Sequence, residues 1–243
     1  MNVIALTLVA TGTALATGVG ALPVIWLGSR AAAWAPALWG AAGGVMAVAA
    51  VLGLLVPAFD EGNPVEVVAG LIAGVLALGL ARSALGRREV HLGLLDADAS
   101  RRGLLVAGTL FAHSLPEGLA IGAAWASDSN VGVFVVLAIA LQNVPEGMVT
   151  ALPLSEAGMS PARVFWTAVA TSAPQVPGAL IAYWAVTAAD RLLGFSFGLA
   201  AGAMLALVIR EIVPAAAASP RAGTTGAALG AVTMVLLAVA IGA

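Results

Sequence analysis

The sequence lacks the residue types on which soluble, disulfide-stabilised and thiolate-binding proteins depend. Its 243 residues include no cysteine, which excludes disulfides and thiolate metal ligands and leaves the redox compartment undecided. Only 9% of the residues are charged and 5% are aromatic, whereas 61% are hydrophobic. With a mean hydropathy of +1.06, this composition lies far outside the range of a soluble globular domain. We therefore expect an integral membrane protein embedded in a lipid bilayer.

Charged positions divide the chain into eight apolar segments, and a membrane-spanning helix needs about 20 mostly apolar residues. The segments lie at roughly 3–27, 34–56, 65–81, 103–125, 131–151, 164–186, 192–211 and 223–242. They are rich in Ala, Leu and Gly and lack the alternation that a membrane barrel requires. We predict an all-α bundle of eight transmembrane helices. It forms a single domain over residues 1–243, with a cytoplasmic loop at about 82–102 and a first segment that stays as a structural helix.

The arginines are distributed unevenly over the predicted loops. All ten basic residues are arginine, and with eight spans nine of them fall on one side of the membrane and only Arg191 on the other. Arginine in short loops marks the cytoplasmic side. The asymmetry predicts a multi-pass protein of the plasma or inner membrane with both termini extracytoplasmic.

Two segments that cross the membrane in opposite directions share a phrase. GGVMAVAAVLGLLVPA, at 43–58 in the second segment, resembles AGAMLALVIREIVPA, at 201–215 in the seventh. Paired segments of inverted topology are typical of transporters whose site lies at mid-membrane. We therefore expect inverted repeats, made of helices 1–3 and 6–8, on either side of helices 4 and 5. Glycine pairs four residues apart predict tight helix packing at Gly40/Gly44, Gly70/Gly74, Gly118/Gly122, Gly198/Gly202 and Gly226/Gly230.

The fourth and fifth segments each carry a polar motif inside an apolar run. HSLPEG begins at His113 and QNVPEG begins at Gln142. His113 and Glu117 are four residues apart, as are Gln142 and Glu146, so each pair shares one helix face. The proline of each motif lacks an N–H and crowds the carbonyl four residues earlier. We expect each helix to kink there and to free a carbonyl beside the polar face.

The energetic penalty of the two motifs calls for a compensating ligand. Two buried glutamates and two interior prolines together cost on the order of 10 kcal/mol. A divalent cation between Glu117 and Glu146 would cancel their charges in a poorly screened site. One His nitrogen with carboxylate oxygens suits Zn²⁺, Fe²⁺, Mn²⁺ or Co²⁺ better than Ca²⁺. The alternative is a buried His113–glutamate pair that only holds the bundle together, and it is less favoured because the pattern occurs twice.

At these residues the sequence resembles the ZIP (Zrt/Irt-like) family of divalent metal transporters, and it is most similar to the GufA-like branch. The resemblance covers essentially the whole chain. It implies that His113, Glu117, Gln142 and Glu146 line a metal site and that Met46 adds a thioether. Apart from the family, Met46 is more typical of a core residue. The resemblance also implies that the ion is cargo, with zinc first and then iron, manganese, cobalt or cadmium, and that no cofactor is required.

The chain departs from the family pattern at a second metal position. The residues matching that position are Ser114, Asn143 and Gln175, and all three are neutral. Two adjacent divalent ions would bring four positive charges next to only two carboxylates. This excess of positive charge is unfavourable in a low-dielectric core. We therefore predict a mononuclear site. An interhelical hydrogen bond is an equal alternative role for Gln175. Glu211 resembles a family acid that receives the departing ion, with pairing to Arg210 or solvent as the alternative.

The resemblance implies transport toward the cytoplasm by alternating access, with the fourth and fifth helices carrying the site past a fixed frame, often within a homodimer. The expected partners are divalent metal ions and the lipid bilayer, with no nucleic acid. An intramembrane metal-dependent hydrolase is the alternative, since one His, two carboxylates and an open position also describe a catalytic site. The sequence has no HExxH motif and no third His in a predicted span, so we expect that the protein is not an enzyme. A sensor or structural protein that binds metal without moving it is a third class, separated from a transporter only by flux.

Overall fold

The computed structural model describes residues 2–86, 97–127, 129–189 and 192–241, and these residues are almost entirely helical. Eight helical segments follow one another and are numbered α1 to α8. They are α1 (Val3–Leu27), α2 (Ala35–Val48, a π-helical stretch Ala49–Leu55 and Val56–Glu61), α3 (Pro64–Gly86), α4 (Ala97–Ser127), α5 (Ser129–Glu156), α6 (Pro161–Thr171 and Gln175–Ala188), α7 (Leu192–Leu207, a π-helical stretch Val208–Ile212 and Val213–Ala216) and α8 (Pro220–Ile241). A short 3₁₀ turn, Gly28–Trp34, joins α1 to α2.

Within the described ranges, six segments are long and apolar enough to cross a membrane: α1, α2, α3, α5, α7 and α8. The segment α6 falls short because it is broken at residues 172–174 into helices of 11 and 14 residues. The segment α4 contains the HSLPEG motif, whose polar residues lower its hydropathy. The all-helical membrane fold is confirmed, and the count of eight spans stays a prediction.

The structure describes both ends of the predicted loop at about 82–102. The helix α3 continues to Gly86 and α4 already begins at Ala97, so helix occupies both ends of the predicted loop. Residues 87–96 lie outside the described part of the chain. Arginine is a good helix former, so a helix need not end where its apolar stretch ends, and the predicted cytoplasmic loop stays a prediction.

The shared phrase in α2 and α7 corresponds to a shared irregularity of the backbone. Each helix contains a π-helical stretch immediately before its Val–Pro–Ala sequence. The Val56 N–H donates to the carbonyl of Val51, and the Val213 N–H donates to the carbonyl of Val208, five residues back in each case. Proline removes a hydrogen bond from a helix, and a π turn is one way in which the backbone absorbs that loss. The common irregularity supports the predicted inverted repeat.

The helices associate as four intimate pairs, α3 with α7, α2 with α8, α1 with α5, and α4 with α6. The members of a pair run in the same direction, as when Gly70 faces Phe195 and Gly74 faces Leu199. The predicted repeat relates helices 1, 2 and 3 to helices 6, 7 and 8, and helix 4 to helix 5. Applying this relation converts the α3–α7 pair into the α8–α2 pair and the α1–α5 pair into the α6–α4 pair. The packing therefore has the pseudo-symmetry expected of an inverted repeat.

Glycines set the distance between these helices. A Cβ atom placed on any of the ten predicted packing glycines would lie 2.0 to 2.3 Å from a backbone oxygen of a neighbouring helix. Real atoms do not approach so closely, so a larger residue would force the two backbones apart. The predicted tight packing is confirmed, and it brings α1, α4, α5 and α6 together around the two polar motifs.

Gly74→Ala is expected to destabilise the α3–α7 pair. The new Cβ would meet the Leu199 carbonyl oxygen at 2.0 Å, and overpacking of this kind costs about 1–3 kcal/mol. Thermal unfolding in detergent should show a lower Tm. Gly12→Ala is the matched control, because Gly12 is exposed and has no atom within 4 Å of an added Cβ. A Gly74→Ala protein as stable as the control would contradict the close approach of these helices.

Candidate metal centre

The two motifs face each other across the α4–α5 contact in the middle of the bundle. Both helices run without interruption through their motif prolines, and the expected kinks stay a prediction. Every polar side chain of the motifs is at most 3% exposed: His113, Ser114, Glu117, Gln142, Asn143 and Glu146. The polar side chains expected from the sequence thus point into the protein and not into lipid.

Glu117 is the centre of the polar cluster. Gln142 of α5 donates through Nε2 to one carboxylate oxygen, and Gln175 of α6 donates through Nε2 to the other at 2.8 Å. His113, one helical turn before Glu117, has its Nε2 3.5 Å from Oε1. Hydrogen bonds to a carboxylate are stronger than those between neutral groups, about 1.5–3 kcal/mol each. Two amide donors from two other helices therefore stabilise this buried acid.

Gln175 is itself fixed by α1 and α5. The Thr13 hydroxyl lies 2.8 Å from Gln175 Oε1, and the Asn143 amide donates to the Thr13 carbonyl at 2.7 Å and to Gln175 Oε1 at 3.3 Å. The break in α6 makes Gln175 the first residue of its second helix, beside the site. The interhelical hydrogen bond proposed as an alternative for Gln175 is therefore present in the structure.

Several buried atoms of the cluster have no hydrogen-bond partner. They are both ring nitrogens of His113, Oε1 of Gln142 and both carboxylate oxygens of Glu146. Leaving such groups unpaired in an apolar interior costs about 1–3 kcal/mol each, and more for a charged group. All of them are atoms that bind divalent metal ions. The Glu117 carboxylate interacts electrostatically with that of Glu146, which adds to the unfavourable balance of negative charge.

The predicted ligand set is only partly assembled. The structure brings together His113, Glu117, Gln142, Asn143 and Gln175. Among the residues that the structure describes, no three His, Cys, Asp or Glu side chains gather closely enough to hold an ion. Glu146 is thus buried near the cluster without completing a His–Glu–Glu triad.

The remaining predicted residues make other contacts. Met46 is 1% exposed and belongs to the main apolar core, the role that its residue type favours. The Ser114 hydroxyl donates to the Leu110 carbonyl of its own helix at 3.0 Å. Glu211 pairs with Arg82 of α3, whose Nε lies 2.5 Å from its Oε1. The sequence offered Arg210 or solvent as partners of Glu211 and did not single out Arg82.

Sequence reasoning also missed a row of hydroxyl groups between α1 and α6. Thr13 and Thr17 are buried and one turn apart on α1, and Thr17 shares a 2.6 Å hydrogen bond with Ser172 in the break of α6. The signal was available, because two threonines at i and i+4 give an otherwise apolar helix one polar stripe. Only the packing of α1 against α6 shows that this stripe faces the metal motifs.

A helical membrane bundle with inverted repeats around buried imidazole, carboxylate and amide groups defines a multi-pass membrane protein with a polar centre. The sequence model of one family, described as ZIP zinc transporter, matches residues 93–238. The chain therefore belongs to the ZIP family, as the two motifs indicated.

Named relatives agree with this membership. The zinc transporter ZIPB of Bordetella bronchiseptica is 33% identical over 219 residues, which are 82% of this chain and 68% of that protein. The zinc transporter GufA of Myxococcus xanthus is 31% identical over 245 residues, or 93% of this chain and 95% of its own length. A protein of Arabidopsis thaliana, provisionally named a zinc transporter, is 34% identical over 91% of this chain, which spans only 36% of that relative.

Gln175→Leu should destabilise the metal-free protein by about 1.5–3 kcal/mol, because one oxygen of the buried Glu117 carboxylate loses its donor. Chemical or thermal unfolding in detergent with a chelator measures this change. Thr17→Val is the control, since it removes a hydrogen bond between two neutral groups, worth about 1 kcal/mol. Equal losses in the two variants would show that the amide of Gln175 does not support a charged partner.

Proposed function

We propose that the protein moves divalent transition-metal cations, with Zn²⁺ foremost, across the membrane toward the cytoplasm by alternating access. The observation that carries the proposal is the set of buried, unpartnered ligand atoms on His113, Gln142 and Glu146 beside a stabilised Glu117. The names of the bacterial relatives, both described as zinc transporters, support the choice of cargo. Selectivity among Zn²⁺, Fe²⁺, Mn²⁺, Co²⁺ and Cd²⁺ depends on ligand geometry as well as on the general affinity order.

Binding begins with a carboxylate whose orientation is already set. Gln175 holds one oxygen of Glu117, while Gln142 holds the other and leaves its own Oε1 without a partner. A small rotation of Gln142 would turn that oxygen toward an arriving ion and release the Glu117 oxygen beside it. Glu146 then approaches because the ion cancels the repulsion between the two acids.

The same contacts support a mononuclear site. The amide N–H of Gln175 occupies the Glu117 oxygen that a second ion would need, and Asn143 and Thr13 hold Gln175 in place. The Ser114 hydroxyl donates to the Leu110 carbonyl of its own helix and brings no negative charge to the site. A second divalent ion would therefore have to displace neutral partners without gaining any further negative charge.

The way in which the helices are grouped supports the proposal of alternating access. The helices α1, α4, α5 and α6 are tied together by the polar cluster and by close backbone contacts, whereas α2 pairs with α8 and α3 with α7. We infer that the first four helices move as one body against a frame made of the others. Packed groups of helices that slide or rotate past each other are a common form of such transitions.

The proposed membrane location, orientation and assembly are based on the uneven distribution of the arginines and on the family resemblance. We infer a plasma or inner membrane location with both termini extracytoplasmic, and a homodimer as the working assembly. No observation favours the hydrolase alternative, because the Ser114 hydroxyl donates to the Leu110 carbonyl and not to His113. We therefore propose a carrier and not an enzyme.

Glu117→Ala and Glu146→Ala should each abolish Zn²⁺ uptake into proteoliposomes, because the remaining carboxylate cannot compensate a divalent ion alone. Glu156→Ala, which removes an exposed glutamate at the end of α5, is the control and should transport normally. Uptake retained by either of the first two variants would refute the site assignment.

Calorimetric titration of the purified protein should give about one tightly bound Zn²⁺ per chain, as expected for a single His–carboxylate site. Gln175→Glu should raise the stoichiometry toward about two, because a third buried carboxylate beside Glu117 needs its own counter-charge. Two ions bound by the unmodified protein, or one by the variant, would contradict the role given to Gln175.

A further inference from the structure

A cavity of about 280 Å³ lies between α2, α3, α4 and α7 at the end of the bundle that carries Arg82. Thr109 and Leu110 of α4 form part of its wall, together with Trp39 of α2 and Leu207 of α7. Thr109 precedes His113 by four residues, about 6 Å along the helix. The cavity is thus one helical turn from the metal motifs. A water molecule takes about 30 Å³, so the space is large enough for an ion with a hydration shell.

Two side chains of opposite charge line this cavity. The Nε atom of Arg82 is 2.5 Å from Oε1 of Glu211, and both residues line the space. Both come from the helices inferred to form the frame, Arg82 from α3 and Glu211 from the π-helical stretch of α7. Arg210, the neighbour of Glu211, instead lies against Gly79, where an added Cβ would be 3.1 Å from its Nη1. Arg82, and not the adjacent Arg210, is therefore the arginine that pairs with Glu211.

The family resemblance implies that Glu211 receives the departing ion, so the cavity that it lines is the expected release chamber. We propose that Arg82 determines how long the ion stays there, by competing with it for the carboxylate of Glu211. This proposal rests on the transport function proposed above. Glu211 draws the ion out of the centre, and the guanidinium then reclaims the carboxylate and returns the ion to water. Neither residue touches the centre itself.

The chemistry of the pair suits a transient contact. An unpaired carboxylate in a partly enclosed chamber would attract a divalent cation strongly, since the local dielectric is lower than that of water. A guanidinium is always charged and cannot be switched off by pH, so it is a permanent competitor. The side chains are 51% and 28% exposed, and partly exposed pairs are weak enough to open and close readily.

The proposal predicts different kinetic defects for the two single variants in which a neutral side chain replaces a charged one. Glu211→Gln leaves the charge of Arg82 unopposed in the chamber, and the maximal rate of Zn²⁺ uptake should fall by roughly fivefold or more at every metal concentration. Arg82→Gln leaves Glu211 uncovered, so the maximal rate should fall while half-saturation moves to a lower Zn²⁺ concentration. The double variant Arg82→Gln/Glu211→Gln restores a neutral chamber and should transport faster than either single variant.

Proteoliposome uptake of Zn²⁺ and calorimetric Zn²⁺ titration of the same proteins together test these expectations. Arg82→Gln should bind one weak additional Zn²⁺ that the double variant lacks, which can be measured without any transport. Arg210→Gln is the matched control and should resemble the unmodified protein in both measurements.

An ion pair that only joins α3 to α7 would produce a different result. Both single variants would then lower the Tm alike, leave the half-saturation concentration unchanged and gain nothing from being combined, which would overturn the proposal. If the unmodified protein shows no uptake, the transport function fails, and the titration still decides whether Arg82 masks a cation site. No additional Zn²⁺ in Arg82→Gln would refute that masking.

Discussion

The structure is organised by the difficulty of keeping two carboxylates inside an apolar bundle. Ionised groups at the centre of a membrane helix cost a few kcal/mol each, and this protein places Glu117 and Glu146 on facing helices. Glu117 is balanced by amide donors from α5 and α6, whereas both oxygens of the buried Glu146 have no hydrogen-bond partner. One acid is thus stabilised by the protein, and the other is the one for which we propose stabilisation by a cation.

The helix packing serves this balance directly. The amide that stabilises Glu117 comes from Gln175, which reaches the site because α6 is interrupted just before it. The glycines of α4 let α6 approach so closely that a Cβ on Gly118 would lie 2.3 Å from the backbone oxygen of Gln175. On the other side, a Cβ on Gly147 of α5 would lie 1.8 Å from the backbone oxygen of Thr17. Because the inverted repeat relates the α4–α6 pair to the α1–α5 pair, each motif helix packs closely against an equivalent neighbour.

Much of this could be predicted from the sequence, and the missing parts have identifiable physical reasons. The burial of the motifs followed from their i, i+4 spacing and from the penalty of exposing them to lipid, which are local properties. The orientation of Gln175, the contribution of Thr13 and the pairing of Glu211 with Arg82 depend on how helices cross, which spacing along one chain does not encode. The continuation of α3 past Arg82 was not predicted, because charge ends an apolar stretch whereas arginine continues a helix well.

Glu117 and Glu211 both have protein partners, but the partners differ in kind, and the difference matches the positions of the two acids. Amides carry no net charge, so Gln142 and Gln175 can orient Glu117 without repelling a cation that approaches it. Arg82 carries a full positive charge, so its contact with Glu211 opposes any cation that arrives there. A neutral partner favours retention of an ion and a charged partner favours its departure. An ion moving from the centre toward the cavity would therefore pass from a carboxylate that keeps cations to one that gives them up.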